Sequence, residues 1–345
     1  MTGSMNDWSP PGEWVRITTI DAHTAGEPLR IITGGMPVLE GESILELRRY
    51  LKENFDNIRT TLMWEPRGHR EMYGCVITPP FERGSDFGIL FMHNEGYSTM
   101  CGHGIIGIGT VAPEIGLVPL EEPETVMVID TPAGQVTTYA QVIEGRVRSV
   151  HFHNVPSFVT GLDERVKVPG IGWVTYDLAF GGAYYAFVQA EDFGFSCVPA
   201  EQNDLITVGM AIKEAVTGKG GIEHPVEKDL TFLYGTIFIA PSLSEEADSR
   251  NVCVFADGQV DRSPTGTGVS GRMAIHYARG EVGIGDPLTI ESIVGTTFTG
   301  TVVEPVSFEG QQAVIPDVRG SASITGRHEF LIDPDDPLRE GFFLG

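Results

Sequence analysis

Cys101-Gly-His-Gly-Ile-Ile-Gly107 is repeated in altered form by Thr265-Gly-Thr-Gly-Val-Ser-Gly271. The three glycines of each stretch coincide at an offset of 164 residues. Further along, Ile129-Asp-Thr-Pro-Ala-Gly134 matches Ile290-Glu-Ser-Ile-Val-Gly295 at an offset of 161 residues. Because the two matches occur in the same order at nearly the same offset, the sequence indicates a single α/β unit that is present twice.

Around these stretches the sequence is typical of many short strands. Its 43 glycines and 22 prolines separate runs rich in Val, Ile, Thr and Phe, and such punctuation favours β-structure. Strands are predicted at residues 15–20, 88–92, 125–129, 135–142, 147–152, 230–239, 252–255 and 296–303. Helices are predicted at 43–54 and 202–216, and two more are predicted to begin at Cys101 and Thr265.

Length and charge limit the classes of function. The chain has 345 residues, enough for about two globular units. Its net charge of −24 repels phosphate backbones and anionic lipid surfaces, so neither nucleic acid nor a membrane is an expected partner. No apolar run approaches a membrane span and no signal-peptide core is present, so a cytoplasmic location is expected. Residues 1–4, ahead of Met5, are a candidate cloning scar, and the sequence leaves open whether they are native.

The glycine stretches satisfy the spacing of a dinucleotide-binding fingerprint, but the context is wrong. That fingerprint requires a hydrophobic strand that runs directly into the first glycine, whereas Ser98-Thr-Met-Cys101 and Asp261-Arg-Ser-Pro-Thr265 stand there. Small residues at a helix start still leave backbone N–H groups free to bind an anion at the positive end of the helix dipole. If the two halves pack face to face, both helix starts can bind one small carboxylate.

Cys101 is the candidate catalytic thiol. At a helix N-terminus the pKa of a thiol is expected to fall toward neutrality, which favours a base or nucleophile; the alternative is a small core residue. Four cysteines form neither a disulfide framework nor a CxxC pair, and Cys75, Cys197 and Cys253 are expected to be core residues.

His103 and Asp261 can each be interpreted in two ways. His103 is too close to Cys101 for both to bind zinc in the usual spacing, so no metal site is predicted. It either contacts the ligand or lies on the surface. Asp261 either starts a turn or is a buried carboxylate that faces a cationic amine.

Longer motifs carry a resemblance to a known family. They are Ile20-Asp-Ala-His-Thr-Ala-Gly-Glu-Pro28, Glu65-Pro-Arg-Gly-His69, Met72-Tyr-Gly74, His93-Asn-Glu-Gly-Tyr97, Met100-Cys-Gly-His-Gly104, Asp257-Gly258 and Asp261-Arg-Ser-Pro-Thr-Gly-Thr-Gly268. With them the chain resembles the proline racemase family, among the fold relatives of diaminopimelate epimerase, over nearly its whole length. The resemblance implies an α/β (α+β) fold of two pseudo-symmetric lobes, each a curled, mostly antiparallel sheet around a central helix. Residues 15–160 are expected to form the first lobe, with 322–345 as a candidate addition, and residues 161–321 the second.

The resemblance also implies how a substrate is bound. The active site is expected in the cleft between the lobes, with no cofactor and with a small cyclic amino acid as ligand. The backbone N–H groups of Gly102, His103, Gly266 and Thr267 are expected to bind its carboxylate. The side chains of His103 and Asp261 are expected to contact its ring nitrogen. Whether the protein is a homodimer stays open at this point.

One departure from the family pattern concerns the reaction. Racemases and 4-hydroxyproline epimerases present a cysteine from each lobe, but here Cys101 is matched by Thr265. A threonine hydroxyl is a poor acid or base beside a Cα–H bond. Family members with this Cys/Thr pair resemble enzymes that dehydrate trans-3-hydroxy-L-proline to Δ2-pyrroline-2-carboxylate. The alternatives are a proline racemase or 4-hydroxyproline 2-epimerase in which Thr265 relays a proton through water, and a non-catalytic binder of a cyclic amino acid.

Overall fold

A computed structural model describes residues 8–344, and within this range it contains five α-helices and eighteen β-strands. The helices are α1 (Ile44–Asn54), α2 (Asp56–Met63), α3 (Gly102–Glu114), α4 (Gln202–Lys219) and α5 (Gly266–Arg279). The strands are β1 (Val15–Thr24), β2 (Glu27–Gly34), β3 (Tyr73–Thr78), β4 (Phe87–His93), β5 (Gly96–Ser98), β6 (Glu124–Thr131), β7 (Gly134–Ile143), β8 (Arg146–His153), β9 (Ser157–Val168), β10 (Gly172–Phe180), β11 (Tyr184–Gln189), β12 (Leu233–Ala240), β13 (Ser249–Phe255), β14 (Gln259–Val260), β15 (Leu288–Glu291), β16 (Thr297–Phe308), β17 (Gln311–Gly320) and β18 (Ala322–Ile332). The cloning-scar interpretation of residues 1–4 lies outside the described range. Among the described helices, none is both long enough and apolar enough to span a membrane.

The first lobe is a curled sheet with α3 inside it. Its strands pair in the order β18, β1, β2, β3, β4, β6, β7, β8, and only the β2–β3 and β4–β6 pairs are parallel. Helix α3 is buried along nearly its full length. A helix that is apolar on every side needs such an enclosed position, and the Gly and Ile residues of α3 allow the surrounding strands to pack closely.

The second lobe repeats this order around α5. Its strands pair as β9, β10, β11, β12, β13, β15, β16, β17, and β17 returns to β9, so the ring is closed. Again only two pairs are parallel, β11–β12 and β13–β15. Short strands β5 and β14 extend the equivalent strands β4 and β13. The internal repeat and the two-lobed fold predicted from the sequence are therefore confirmed.

One long strand passes from the second lobe into the first. Strand β17 pairs with β16 along nearly its whole length, with β9 near its start and with β8 at its end, and β18 then pairs with β1 along its whole length. We propose that residues 322–332 complete the first lobe. Because β9 already pairs with β10 from Phe158 onward, the boundary predicted at residue 160 falls inside a strand of the second lobe. We place that boundary just before β9.

The remaining helices pack outside the sheets. Helix α1 begins where the sequence predicted, since Ser43 accepts a hydrogen bond from the Glu46 N–H at 3.2 Å and caps it. Helix α2, which was not predicted, joins α1 over β4 in a separate apolar cluster. Helix α4 covers β12 and is three residues longer than predicted, to Lys219. The inner helices α3 and α5 are thereby left to form the centre of the molecule.

Candidate active site

The N-termini of α3 and α5 meet at the interface of the two lobes. A Cβ atom placed on Gly102 would lie 2.5 Å from the Cα atom of Gly266, and one placed on Gly266 would lie 2.7 Å from the Cα atom of Gly102. Real Cβ atoms do not approach other atoms so closely, so only glycine fits either position. The repeated glycine stretches therefore bring the positive ends of two helix dipoles to one point.

Four backbone N–H groups at this point have no acceptor from the protein. They belong to Gly102 and His103 on α3 and to Gly266 and Thr267 on α5, and all four residues are buried. Within residues 8–344 none of these N–H groups donates a hydrogen bond to a protein atom. Since unpaired buried N–H groups are rare, the pair of helix starts has the properties of an anion site.

Cys101 caps α3 with its side chain. Its Sγ accepts a hydrogen bond from the Gly104 N–H at 3.3 Å and lies 3.1 Å from His103 Nδ1. Burial raises the pKa of the Cys101 thiol well above its usual value, while the Tyr73 hydroxyl and the Gly104 N–H act in the opposite direction. In this structure the loss of water around the sulfur is the largest effect on the thiol pKa, and it acts against the lowering that the helix start was expected to give.

His103 lies inside the site and not on the surface, since only 4% of it is exposed. Burial lowers the pKa of its imidazole to about 3, so the ring is neutral at physiological pH. Thr24 fixes the backbone by donating to the His103 carbonyl at 2.8 Å, and the Tyr73 ring packs against the imidazole at 4.6 Å between centroids. His103 can thus donate or accept a hydrogen bond beside the thiol without carrying charge.

Asp261 combines both of its sequence interpretations. It forms a turn, because Oδ1 accepts from the Ser263 N–H at 2.7 Å, and it is buried. Its other oxygen, Oδ2, accepts from the Thr265 hydroxyl at 2.8 Å. Burial raises the pKa of the Asp261 carboxyl to about 6. A buried carboxylate of this kind is well suited to bind a cationic amine.

Thr265 differs from Cys101 in conformation as well as in chemistry. Its φ of 65° is strained for a β-branched residue, whereas the φ of Cys101 is −145°. The Thr265 side chain does not cap α5, since its hydroxyl is bound to Asp261 instead. The pseudo-symmetry of the two lobes is therefore broken at the position that faces Cys101.

Two buried glutamates, which the sequence analysis left without a role, hold the loop that carries Asp261. Glu27 Oε2 accepts from the Arg262 N–H at 2.8 Å, and the Arg262 guanidinium lies between Glu27 and Glu71. Burial and the neighbouring Asp261 raise the pKa of Glu27 well above its usual value. Only the motif around Glu27 in the sequence could have drawn attention to this loop.

A chain of three hydroxyl groups lies beside Cys101 and was not predicted. Tyr73 donates to Ser98 Oγ, which is also 2.8 Å from the Tyr234 hydroxyl. The two tyrosines are 161 residues apart, which is the offset of the internal repeat, so that offset is the signal that could have found them. Both occupy equivalent positions near the start of β3 and β12.

These groups line one cavity at the interface of the two lobes. The predicted site residues Cys101, Gly102, His103, Asp261, Thr265, Gly266 and Thr267 all line it, together with Tyr73, Met100, Tyr185, Tyr234, Cys253 and Phe255. Cys253, which was expected to be a core residue, is buried but contributes to this lining. A thiol, a carboxylate and the unpaired N–H groups of two helix starts therefore surround one cavity.

Two lobes of the same topology with a buried thiol at the start of one inner helix characterise the class of enzyme fold to which this chain is similar, and the family model described as "Proline racemase" matches residues 19–343. The chain belongs to the proline racemase family. It is 47% identical to a trans-3-hydroxy-L-proline dehydratase of Colwellia psychrerythraea, over 98% of this chain and 96% of that one. It is 44% identical to a 3-hydroxyproline 2-epimerase of Burkholderia multivorans, over 95% and 98%. The crystal structure of a hydroxyproline epimerase from Agrobacterium vitis with bound trans-4-hydroxy-L-proline superposes with a TM-score of 0.87 at 30% identity, covering 96% of each chain.

Proposed function

We propose that this protein is a hydro-lyase that dehydrates trans-3-hydroxy-L-proline to Δ2-pyrroline-2-carboxylate, which tautomerises to the Δ1 form in solution. The observation that carries the proposal is the pairing of Cys101 with Thr265 across one cavity. A single thiol can transfer protons at only one face of a ring, and in the dehydration of this isomer both departing groups leave from one face. The dehydratase named above, which matches nearly the whole chain, supports the same reaction.

In the proposed complex the substrate binds as a zwitterion. Its carboxylate accepts hydrogen bonds from the N–H groups of Gly102, His103, Gly266 and Thr267, which have no other acceptor in the described chain. Its ring ammonium lies against Asp261, and the neutral His103 completes the contact. Both helix dipoles then stabilise the negative charge that develops on the carboxylate side when the α-proton leaves.

The stereochemistry of the substrate fits one thiol. In trans-3-hydroxy-L-proline the hydroxyl lies on the ring face opposite the carboxylate, and this face also carries the α-hydrogen. Cys101 as thiolate takes the α-proton and becomes a thiol. The Cα–H electron pair forms the Cα–Cβ double bond, the Cβ–O bond breaks, and the thiol proton leaves with the hydroxyl as water. The thiolate is thereby regenerated without a second acid or base.

Substrate binding also favours the thiolate. The negative charge of Asp261 contributes to the raised pKa of Cys101, and a bound ammonium would compensate that charge. In this scheme the protein holds its thiol protonated until a cationic ring occupies the cavity. The Cys101 proton passes to solvent as the substrate binds, so the thiolate is present only when there is an α-proton for it to remove.

The hydroxyl chain of Tyr73, Ser98 and Tyr234 can donate a hydrogen bond during the loss of water. Tyr73, Ser98 and Tyr234 carry three O–H hydrogens but only two links between them, so one hydrogen is free to be donated. Burial raises the pKa of Tyr73 well above its usual value, which keeps the phenol protonated and able to donate. Because hydroxyl hydrogens rotate, Tyr234 can donate to Ser98 and Ser98 to Tyr73, which leaves the Tyr73 O–H free. We assign it as a hydrogen-bond donor to the Cys101 thiolate before the reaction and to the departing hydroxyl during it, while the proton that completes the water comes from the Cys101 thiol.

A second candidate function is epimerisation at C2, as in the Burkholderia relative. It requires a proton donor on the Thr265 side of the ring, and the Thr265 hydroxyl is committed to Asp261. That proton would have to come from water relayed past Thr265 or from the Cys253 thiol, which also lines the cavity. A binding protein without catalysis is the third candidate, and the placement of the Cys101 thiol within the cavity argues against it.

Proton NMR in deuterated water tests the proposal. Wild-type protein with trans-3-hydroxy-L-proline is expected to give pyrroline carboxylate with loss of the α-proton signal and no inverted isomer. Cys101→Ser is the matched negative control. Accumulation of the C2 epimer instead of pyrroline carboxylate would establish epimerisation, and an unchanged spectrum would leave only binding.

A further inference from the structure

We propose that His151, His153 and Asp317 form a binding site for one divalent transition-metal ion, of which Zn²⁺ is the best match. The site lies on the outer surface, away from the residues that line the catalytic cavity. Strand β8 turns Val150 and Phe152 into the core of the first lobe, and the alternate residues His151 and His153 face outward. Asp317 pairs directly with His153 on the neighbouring strand β17.

The distances between the donor atoms fit a metal centre. One donor atom from each of the three side chains can be chosen so that all lie within 4.8 Å of one another. His153 Nε2 is 3.6 Å from Asp317 Oδ2. Tetrahedral zinc with bonds of 2.0–2.2 Å places its ligand atoms about 3.4 Å apart. His151 Nδ1 is 2.5 Å from the same carboxylate oxygen, so a small rotation of the Asp317 carboxylate opens the required space.

The surroundings hold the two imidazoles in place. Tyr139 stacks on His151 with a centroid distance of 4.7 Å and lies 4.9 Å from His153. When His151 binds the metal through Nδ1, its Nε2 faces Glu124 Oε1 at 3.7 Å. A carboxylate that accepts from the second ring nitrogen is the usual partner of a metal-bound histidine. Two imidazole nitrogens and one carboxylate oxygen favour zinc, copper or nickel over magnesium or calcium.

The position of the cluster indicates what the ion would do. Strand β8 belongs to the first lobe, while the start of β17 pairs within the second. An ion held by His153 and Asp317 would therefore fasten the two lobes at the point where their sheets join. The side chains are partly exposed, with relative exposures of 19%, 33% and 14% for His151, His153 and Asp317, so an ion can enter without opening the fold. The expected role is structural, and catalysis does not depend on it.

The experiment uses full-length protein treated with a chelator and then dialysed. Titration with Zn²⁺ by calorimetry, and with Co²⁺ by its visible absorption, is expected to show one ion per chain, intense tetrahedral Co²⁺ bands and a raised Tm. Cys101→Ser protein is titrated in parallel, so that binding at the active-site thiol is recognised. His153→Ala and Asp317→Asn should each weaken the affinity by about 100-fold or more.

His328→Ala is the matched control, because His328 is a half-exposed histidine that lies 3.5 Å from the Asp21 carboxylate but belongs to no cluster of three such side chains in the described residues. It should bind Zn²⁺ like the wild type. Equal Zn²⁺ affinity in the His153, Asp317 and His328 variants would overturn the proposal, as would Co²⁺ bands that persist in His153→Ala protein. Absence of Zn²⁺ binding to the wild type at about 100-fold molar excess would also overturn it, and would show that His151 and Asp317 form only a hydrogen bond.

Discussion

Gly102→Ala is expected to separate the two helix starts and so to damage the anion site without touching the thiol. The added methyl group would lie 2.5 Å from the Cα atom of Gly266 and 3.1 Å from the N atom of Thr267. Carbon atoms in contact are normally about 3.5–4.0 Å apart, so the backbones must move by about 1 Å. Neither neighbour is a side chain that could rotate away.

The magnitude follows from two opposing effects. Overpacking of this kind costs about 1–3 kcal/mol, and a helical alanine recovers at most about 1 kcal/mol over glycine. Because backbone atoms must move here, the cost lies in the upper part of that range, about 2–3 kcal/mol, and stability should therefore fall by about 1–2 kcal/mol. A displacement of about 1 Å between binding groups is sufficient to lower catalysis by about 100-fold. The loss in kcat/KM should consequently exceed the loss expected from partial unfolding alone.

Two measurements test this expectation: kcat/KM for formation of pyrroline carboxylate, and urea unfolding. The control is Gly218→Ala, because Gly218 is also helical but has no atom within 4 Å of an added Cβ. That variant should keep full activity and gain slight stability. Wild-type kcat/KM in Gly102→Ala protein would refute the inference that the closely packed helix starts form the carboxylate site.

Four further predictions concern the side chains of the cavity. Cys101→Ser should lose several orders of magnitude in turnover with an unchanged circular dichroism spectrum, and iodoacetate should inactivate the wild type unless pyrrole-2-carboxylate protects it. Thr265→Cys should gain weak epimerase or racemase activity on chiral chromatography, while Thr265→Ala keeps dehydration; inversion by the wild type at the dehydration rate would contradict this. Asp261→Asn should weaken substrate binding by about 1.5–3 kcal/mol. Because the pKa of the Asp261 carboxyl is about 6, this group becomes protonated as the pH falls through that value, and kcat/KM of the wild type should decline below about pH 6. A kcat/KM of the wild type that does not change with pH would be inconsistent with the role of Asp261. Tyr73→Phe should slow dehydration more than α-proton exchange in deuterated water, and equal losses of both would assign Tyr73 a purely structural role.

The features that could be predicted from the sequence were those present in both halves of the chain. The glycine stretches predicted both inner helices and their convergence, because close backbone contact between Gly102 and Gly266 needs the same residue type twice. The pKa of Cys101 was not predictable, since it depends on how completely the closed lobes exclude water. Helix α2 was missed because it follows α1 with only Phe55 between them.

The hydroxyl chain and the last strands were missed for a different reason. Tyr73, Ser98 and Tyr234 are far apart in the sequence and become neighbours only through the packing of β3, β5 and β12. Strand β18 carries polar residues on much of its surface and has no marked alternation of burial. Its pairing with β1 is a contact between the two ends of the chain, which local patterns do not reveal.

That pairing has a consequence for the growing polypeptide. Val15 of β1 lies opposite Ile332 of β18, so β1 leaves the ribosome long before the strand with which it pairs. Until then the edge of β1 is open, and unpaired edges of this kind attract other chains. The second half contains every strand of its own ring and can close before the first. The first lobe thus begins to be synthesised first but is the later of the two to have all of its strands.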